Sequence, residues 1–281
     1  MHATSIDLVG RLYTQVSRHL EDGIVPLALS TRVPHETCCV SQAQQVWWYA
    51  RLFRKFPRQR EFAHRAQAGA EVLFPILSAS HQISEQCAGI YALSEYFLAT
   101  RDPRGLEFAC ATFDRIQQQD YRDTRTQRLA AYTVLFAASQ DDIHGRALRE
   151  TVDRIARQLT GAPASTSYGQ TLEVLWLMRL ALETLGADLR PFWELWSGIA
   201  THALQHGVDW ERGGIHGDAL SEHAEALVGF LDAYELFGDD SYLEAFEAVW
   251  RCVAPQSLLA ETEFHTGRAL IECAERLERL K

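Results

Sequence analysis

Apolar residues recur at three- and four-residue steps along most of the chain, which is the spacing of amphipathic α-helices. One such stripe consists of Ala43, Val46, Trp47, Ala50 and Phe53. Strict alternation of apolar and polar residues is hard to find, and Val and Ile are scattered rather than clustered, so strands are not predicted. The pattern therefore predicts an all-α protein.

Glycine, proline and short polar runs divide this pattern into separate helices. Asp102–Pro103 is typical of an N-cap followed by a first-turn proline. Gly238 followed by Asp239–Asp240 is typical of a helix stop and restart. With end errors of about 2–4 residues, we predict helices over residues 4–21, 39–55, 59–78, 83–99, 104–119, 125–138, 143–159, 168–185, 190–206, 220–236, 240–255 and 263–280.

Twelve helices make six hairpins of about 47 residues each, a period typical of helical-hairpin arrays. An open array needs polar capping repeats at its ends, yet the last predicted helix carries the apolar stripe Leu270, Ile271, Ala274 and Leu277. This favours closure into a six-hairpin toroid with short loops, and an open array is the alternative. Since no linker or low-complexity segment divides residues 1–281, we predict a single domain.

Charge and composition exclude several classes of protein. The formal net charge is −10 and no basic stripe exists, which argues against a nucleic-acid partner. No apolar run approaches the roughly 20 residues of a membrane span, and the first residues lack the features of a signal peptide. The six cysteines show no CxxC spacing. A reduced, cytoplasmic protein without membrane contact is the expectation.

Metal binding finds little support in the sequence. His35, Glu36, Cys38 and Cys39 are close together, but their spacing does not put ligands on one face of a helix. An HExxH motif is absent. No metal site is predicted.

In a closed ring of hairpins, alternate helices line the inside and should carry polar groups toward a central cavity. The even-numbered predicted helices do carry polar residues among their apolar ones. Examples are Gln42, Gln45, Glu95, Gln170, Glu173, Glu225, His265 and Arg268.

Three segments of these helices resemble motifs of the N-acylglucosamine 2-epimerase family. Residues 42–53, Gln-Ala-Gln-Gln-Val-Trp-Trp-Tyr-Ala-Arg-Leu-Phe, resemble the family's Gln-x-Arg-Gln-x-Trp helix. Residues 169–177, Gly-Gln-Thr-Leu-Glu-Val-Leu-Trp-Leu, resemble its Gly-His-x-x-Glu-x-x-Trp helix. Residues 264–270, Phe-His-Thr-Gly-Arg-Ala-Leu, resemble its Phe/Tyr-His-x-x-Arg motif.

Softer matches to the family lie at residues 91–96, 209–214 and 222–227. Each motif alone is weak, but six in the correct order on the expected helices form a fairly specific signal. The resemblance implies an (α/α)6 barrel, the fold that the hairpin count indicates independently.

The resemblance also implies an activity. Family members epimerise C2 of N-acylglucosamine or interconvert aldoses and ketoses such as mannose and fructose, without a metal or redox cofactor. It therefore implies a cofactor-independent isomerase that acts on a sugar-like small molecule. Because relatives often pair, it also implies a homodimer.

Two departures from the family concern its chemistry directly. Family members use two histidines to move a proton next to a carbonyl, and an arginine to polarise the carbonyl oxygen. His265 matches one histidine, whereas the other falls on Gln170 and the arginine falls on Gln44. A general acid–base group contributes about 10²–10⁴-fold, and a preorganised donor about 10²–10³-fold. Losing both argues against ordinary two-base epimerisation.

Three hypotheses follow. In the first, His265 alone moves a proton on one face of a sugar, with help from Glu173 or Glu225. In the second, the barrel has been recruited as a biosynthetic tailoring enzyme for an acid-assisted rearrangement or cyclisation. In the third, it is a non-catalytic binding protein.

Family chains also carry a small sheet over the cavity mouth, for which this chain lacks room.

The predicted site has two parts. The predicted catalytic residues are His265, Glu173 and Glu225, and the predicted substrate-binding residues are Gln44, Trp48, Gln170, Tyr91, Glu95 and Arg268. A charge on an apolar stripe needs a partner, so the alternative for Glu173 is a structural ion pair with Arg268 or Arg128. Trp47 is predicted in the core, and His206, His216 and His223 are predicted on the surface.

Overall fold

The computed structural model describes residues 3–26, 38–117, 124–160, 167–217, 219–257 and 264–281. All twelve predicted helices are present in these ranges, and most ends lie within two residues of the predicted positions. The α-helices are α1 Ala3–Arg18, α2 Cys39–Lys55, α3 Arg60–Ala79, α4 Ile83–Thr100, α5 Pro103–Ile116, α6 Arg125–Ser139, α7 Asp142–Leu159, α8 Tyr168–Thr184, α9 Trp193–His206, α10 Leu220–Phe237, α11 Asp240–Ser257 and α12 Phe264–Leu280. Among the described residues, none of these helices is both long and apolar enough to cross a membrane.

The two helix boundaries with the clearest sequence signals have the predicted geometry. Asp102 is the N-cap of α5, and its Oδ1 accepts a hydrogen bond from the backbone N–H of Arg104 at 3.1 Å. Gly238 ends α10 in the left-handed conformation, at φ +68°. Asp239 Oδ1 then accepts from the backbone N–H of Ser241 at 3.0 Å, which starts α11.

Two predicted helices are less regular than their apolar pattern indicates. The first α-helix ends at Arg18 and continues as a π-helical segment, His19–Ile24. The ninth begins with a 3₁₀ turn, Arg190–Phe192, that contains Pro191. A proline ring fits the first turn of a helix, where its missing N–H is not needed.

The helices pack into two compact units. The first contains α1, α9 to α12 and α8 as far as Trp176, and the second contains α2 to α6, nearly all of α7 and the rest of α8. The single domain over residues 1–281 stays a prediction.

In the second unit, α2, α3 and α4 form much of the core. Trp47 is buried as predicted, and its ring stacks on Tyr91 with centroids 5.5 Å apart and planes 10° apart. The side chain of Gln42 is buried and donates from Nε2 to the Gly69 carbonyl at 3.0 Å. Gln42 therefore has a structural bond that joins α2 to α3.

In the first unit, α10 is the central helix, and residues 223–234 are all buried. It approaches α8 closely, because a Cβ added at Gly229 would lie 2.6 Å from Leu172. Toward the end of α12, Arg276 Nη1 donates to Asp232 at 2.7 Å and to Glu235 at 2.9 Å. These buried ion pairs hold α12 against α10.

The surface prediction is correct for His206 and His216, which are exposed, and wrong for His223, which is buried. The His223 ring packs against Gly214, where an added Cβ would lie 2.6 Å from it, and its Nδ1 lies 2.9 Å from the Ala219 carbonyl oxygen. The room for this ring exists because Gly214 has no side chain and adopts φ +94°.

All six cysteines are free thiols, as their spacing predicted. Cys87 and Cys273 are buried. Burial raises the pKa of Cys87 to about 12. These two side chains behave as small hydrophobic residues.

Candidate active site

Two predicted carboxylates, Glu173 on α8 and Glu225 on α10, share one guanidinium in the first unit. Nη2 of Arg268, on α12, donates to Glu225 Oε1 at 2.6 Å and also contacts Glu173 Oε1. The side chains of Arg268 and Glu225 are each 3% exposed, and that of Glu173 is 15% exposed. The predicted ion pair between Glu173 and Arg268 is therefore present, and Glu225 completes it.

His265 lies on the more accessible side of this ion pair. Its Nδ1 is 2.9 Å from Glu225 Oε1, and its side chain is 38% exposed. An ionised carboxylate can only accept a hydrogen bond, so we assign the proton of the neutral ring to Nδ1. Nε2 then carries the lone pair, which makes it the nitrogen able to take up a proton.

Aromatic rings close the remaining sides of the ion pair. The indole Nε1 of Trp176 donates to Glu225 Oε2 at 3.1 Å. The Arg268 guanidinium lies 5.1 Å from the centroid of the Trp176 ring and 5.3 Å from that of Phe264, within the range of cation–π attraction. Glu225 therefore has three donors and is almost completely shielded from bulk water.

The two carboxyl groups have different electrostatic environments. Burial raises the pKa of Glu225, but the Arg268 guanidinium and the bond from His265 outweigh it, so its pKa is lowered overall. Burial raises the pKa of Glu173, and the nearby charge of Glu225 raises it further, which outweighs the attraction of Arg268. When the pKa values of two neighbouring carboxyl groups differ in this way, one group can act as an acid while the other stays ionised.

The three helices carry this cluster in two layers. Between α8 and α10, Gly169 contacts Glu222, and Leu172, later on α8, contacts Gly229, later on α10. Between α10 and α12, Glu225 bonds to Arg268, and the later residue Asp232 bonds to the later residue Arg276. The helices are therefore parallel, and residues three apart in sequence lie one turn apart on one face. The buried layer is Glu173, Glu225 and Arg268, and the accessible layer is Gln170, Glu222 and His265.

Glu222 is a member of this cluster that was not among the predicted site residues, although it begins the motif match at residues 222–227. Its Oε1 accepts a hydrogen bond from Gln170 Nε2 at 3.4 Å. The two helices touch at this level because Gly169 has no side chain: an added Cβ would lie 2.4 Å from the Glu222 carbonyl oxygen. The three-residue step from Glu222 to Glu225 was the available signal, since α8 and α12 place their polar pairs at the same step.

The other predicted site residues lie in the second unit. Gln44, Trp48 and Tyr91 are half-buried. Glu95 is buried and accepts a hydrogen bond from Arg54 Nη1 at 2.7 Å. Their substrate-binding roles, like that of Arg268, stay predictions.

The donor set of the cluster can also be compared with a metal site. Glu173, Glu225 and His265 each offer one ligand atom, and these atoms lie within 4.8 Å of one another. The Arg268 guanidinium is already bonded to both carboxylates, so a cation occupies the position between them. This donor set fits a guanidinium.

Comparison with known proteins supports the sequence resemblance. A cellobiose 2-epimerase of Ruminococcus albus is 25% identical to this chain, over 57% of the chain and 56% of that relative. The match thus spans little more than half the length of the curated relative. No family model matches the chain.

Solved structures of two further epimerases share the fold. The cellobiose 2-epimerase of Bacillus thermoamylovorans has a TM-score of 0.80 at 17% identity and covers 95% of this chain and 100% of that one. The enzyme of Spirochaeta thermophila has a TM-score of 0.82 at 18% identity and covers 99% of both chains. The predicted all-α, (α/α)6-barrel fold class is confirmed. The chain is therefore similar to cellobiose 2-epimerases, in sequence over a little more than half of its length and in fold over nearly all of it.

Proposed function

We propose that this protein is a sugar isomerase or epimerase that moves a proton on and off the carbon next to a carbonyl. The atom that exchanges the proton is Nε2 of His265. The observation that carries this proposal is the 2.9 Å contact between His265 Nδ1 and Glu225 Oε1. The similarity to cellobiose 2-epimerases supports the substrate class.

In the proposed reaction, the sugar is an open-chain aldose with its C2–H directed at His265. Nε2 takes the C2 proton, and the C–H electron pair forms the double bond of an enediolate as the carbonyl electrons move to oxygen. Return of a proton to C1 gives the ketose, and return to the opposite face of C2 gives the epimer. A general base of this kind contributes about 10²–10⁴-fold to the rate.

Glu225 and Glu173 have separate roles in this proposal. Glu225 stays ionised, keeps the His265 proton on Nδ1 and stabilises the imidazolium that forms. Glu173 has a raised pKa because it is buried and close to Glu225, so it holds a proton more readily than an exposed glutamate. In its acid form it donates to the oxygen on which negative charge develops.

The charges of the two layers favour a substrate without negative charge. The cluster contains three carboxyl groups, Glu173, Glu222 and Glu225. Opposite them are the permanent charge of Arg268 and the ionisable ring of His265. The Arg268 guanidinium is already bonded to Glu173 and Glu225, so this permanent cation is not available to bind a phosphate or carboxylate of the substrate, and we propose a neutral sugar.

The test is exchange of the C2 proton with solvent. Candidate aldoses such as cellobiose, mannose and N-acetylglucosamine are incubated in D2O as both C2 epimers, and loss of the C2 proton is followed by NMR. We expect exchange with the wild type, loss of exchange from at least one epimer with His265→Asn, and no change with the control His206→Asn, an exposed histidine of α9. Undiminished exchange from both epimers in His265→Asn would overturn the role of His265. If the wild type exchanges no sugar, proton transfer on sugars is rejected.

A second candidate function is favoured by one observation, the raised pKa of Glu173. A buried carboxylic acid suits an acid-assisted rearrangement or cyclisation of a biosynthetic intermediate. Activity on such a compound that depends on Glu173 but survives His265→Asn would favour this alternative.

The cytoplasmic location, the homodimer and the independence from cofactors stay predictions from the sequence.

A further inference from the structure

The accessible layer contains a second titratable side chain besides His265. Gln170 carries an amide, which neither takes up nor releases a proton at useful pH. Glu222 carries a carboxyl group and is half-buried, so it is within reach of a molecule bound at His265's level. Of the three accessible-layer residues, His265 and Glu222 are thus the two that can exchange protons.

Glu222 and His265 are placed on different sides of the cluster. The Glu222 carboxyl lies toward α8, since its Oε1 accepts from Gln170 Nε2 at 3.4 Å. His265 belongs to α12 and bonds to Glu225. Glu225 lies one turn after Glu222 on α10. Side chains one turn apart have Cβ atoms about 5–6 Å apart. A sugar carbon in front of Glu225 would therefore meet the carboxyl from the α8 side and the imidazole from the α12 side.

The carboxyl of Glu222 also lies close to the backbone of Gly217. A Cβ added at Gly217 would lie 2.8 Å from Glu222 Oε2, so the turn before α10 runs directly past this oxygen. Gly217 adopts φ +148°, a conformation that favours glycine. The carboxyl is thus flanked by the Gln170 amide at one oxygen and by the turn at the other.

We propose that Glu222 is the second proton-transfer group and exchanges a proton with C2 on the face opposite to His265. His265 Nε2 removes the C2 proton and leaves the enediolate, and protonated Glu222 gives its proton to the other face of C2. Glu222 then regains a proton from solvent as His265 releases one, so protons and charge balance. The reaction of the site is consequently inversion at C2. This assignment rests on the proposed function above.

The test separates inversion from exchange. Both C2 epimers of an aldose that the wild type turns over are incubated in D2O, and the epimer formed and the deuterium entering C2 are measured together. With Glu222→Gln we expect epimer formation to fall about 10²–10⁴-fold. In Glu222→Gln, the epimer whose C2–H faces His265 should still exchange its C2 proton, and the other epimer should not. In His265→Asn, only the epimer whose C2–H faces Glu222 should exchange.

Two controls accompany this comparison. Glu194→Gln changes an exposed first-turn glutamate of α9 in the same unit and should alter neither rate. Glu222→Asp keeps the carboxyl on a shorter side chain and should restore part of the epimer formation that Glu222→Gln loses.

The outcomes distinguish the two proposals. A wild type that exchanges C2 protons but forms no epimer, or a ratio of epimer to exchange that Glu222→Gln leaves unchanged, overturns the role of Glu222 alone. A wild type without exchange overturns the proposed function and this assignment together.

Discussion

The Nδ1 atom of His265 lies 2.9 Å from Oε1 of Glu225, a carboxylate that is buried and also bonded to Arg268 and Trp176. This contact joins a half-exposed ring on α12 to a buried anion on α10. Because Glu225 is held by three donors, it can fix both the orientation and the tautomer of the ring.

Replacing Glu225 with glutamine should greatly reduce activity. The amide has no negative charge, and its NH2 group can face Nδ1, which would place the ring proton on Nε2. We expect kcat for C2 proton exchange to fall by about 10²–10⁴-fold. An unchanged kcat in a folded Glu225→Gln variant would show that the contact has no catalytic part.

The raised pKa of Glu173 predicts how its contribution to stability depends on pH. The folded state holds this proton more tightly than the unfolded state, so the contribution is complete below the ordinary value of 4.5 and is lost as pH rises through the raised pKa. Glu173→Gln stays neutral throughout. The free energy of unfolding of the variant, relative to wild type, should therefore increase as the pH rises above 4.5. Denaturant titrations at several pH values measure it, and a difference that decreases with pH would reverse the assigned direction.

The ion pairs between α10 and α12 predict a contrast between two arginines. Arg276 is buried and bonds to Asp232 and Glu235, whereas the Arg279 side chain is 58% exposed and bonds to Glu235 at 3.2 Å. Removing the buried Arg276 guanidinium leaves the Asp232 and Glu235 carboxylates without their cation. Arg276→Met should therefore lower the free energy of unfolding by about 3–5 kcal/mol. Arg279→Met should lower it by less than about 1 kcal/mol. Equal effects in urea unfolding would contradict this contrast.

Two helical glycines should respond oppositely to alanine. A Cβ at Gly169 would lie 2.4 Å from the Glu222 carbonyl oxygen, so Gly169→Ala should separate α8 from α10 and cost about 1–3 kcal/mol. A Cβ at Gly198, inside α9, meets nothing within 4 Å, so Gly198→Ala should stabilise by about 0.5–1 kcal/mol. Thermal and chemical unfolding of the two variants measure both signs, and a neutral Gly169→Ala would show that the contact can relax.

The helices could be predicted from the sequence because the apolar stripes and the breakers are local signals. Asp102–Pro103 and Gly238 act through bonds to their immediate neighbours. The π-helical segment His19–Ile24 could not be predicted, since a shift from i+4 to i+5 bonding leaves the apolar pattern almost unchanged.

The candidate site was only partly predictable, because its partners are far apart in sequence. Glu173 on an apolar stripe indicated that some cation lies nearby, but Arg268 and Arg128 were both open until the fold brought Arg268 to it. The burial of His223 depends on Gly214 in the preceding turn. The Glu222 carboxyl accepts a hydrogen bond from Gln170, which lies 52 residues earlier in the chain, on a different helix.

The most direct test of the central claim is the tautomer of His265 in the resting protein. Long-range ¹H–¹⁵N NMR of ¹⁵N-histidine-labelled protein, with the signal assigned by its loss in His265→Asn, shows which nitrogen of the neutral ring carries the proton. We predict a protonated Nδ1 and an unprotonated Nε2 in the wild type, with this preference lost in Glu225→Gln. A neutral ring protonated at Nε2 in the wild type would contradict it, since that nitrogen could then take no proton from a sugar.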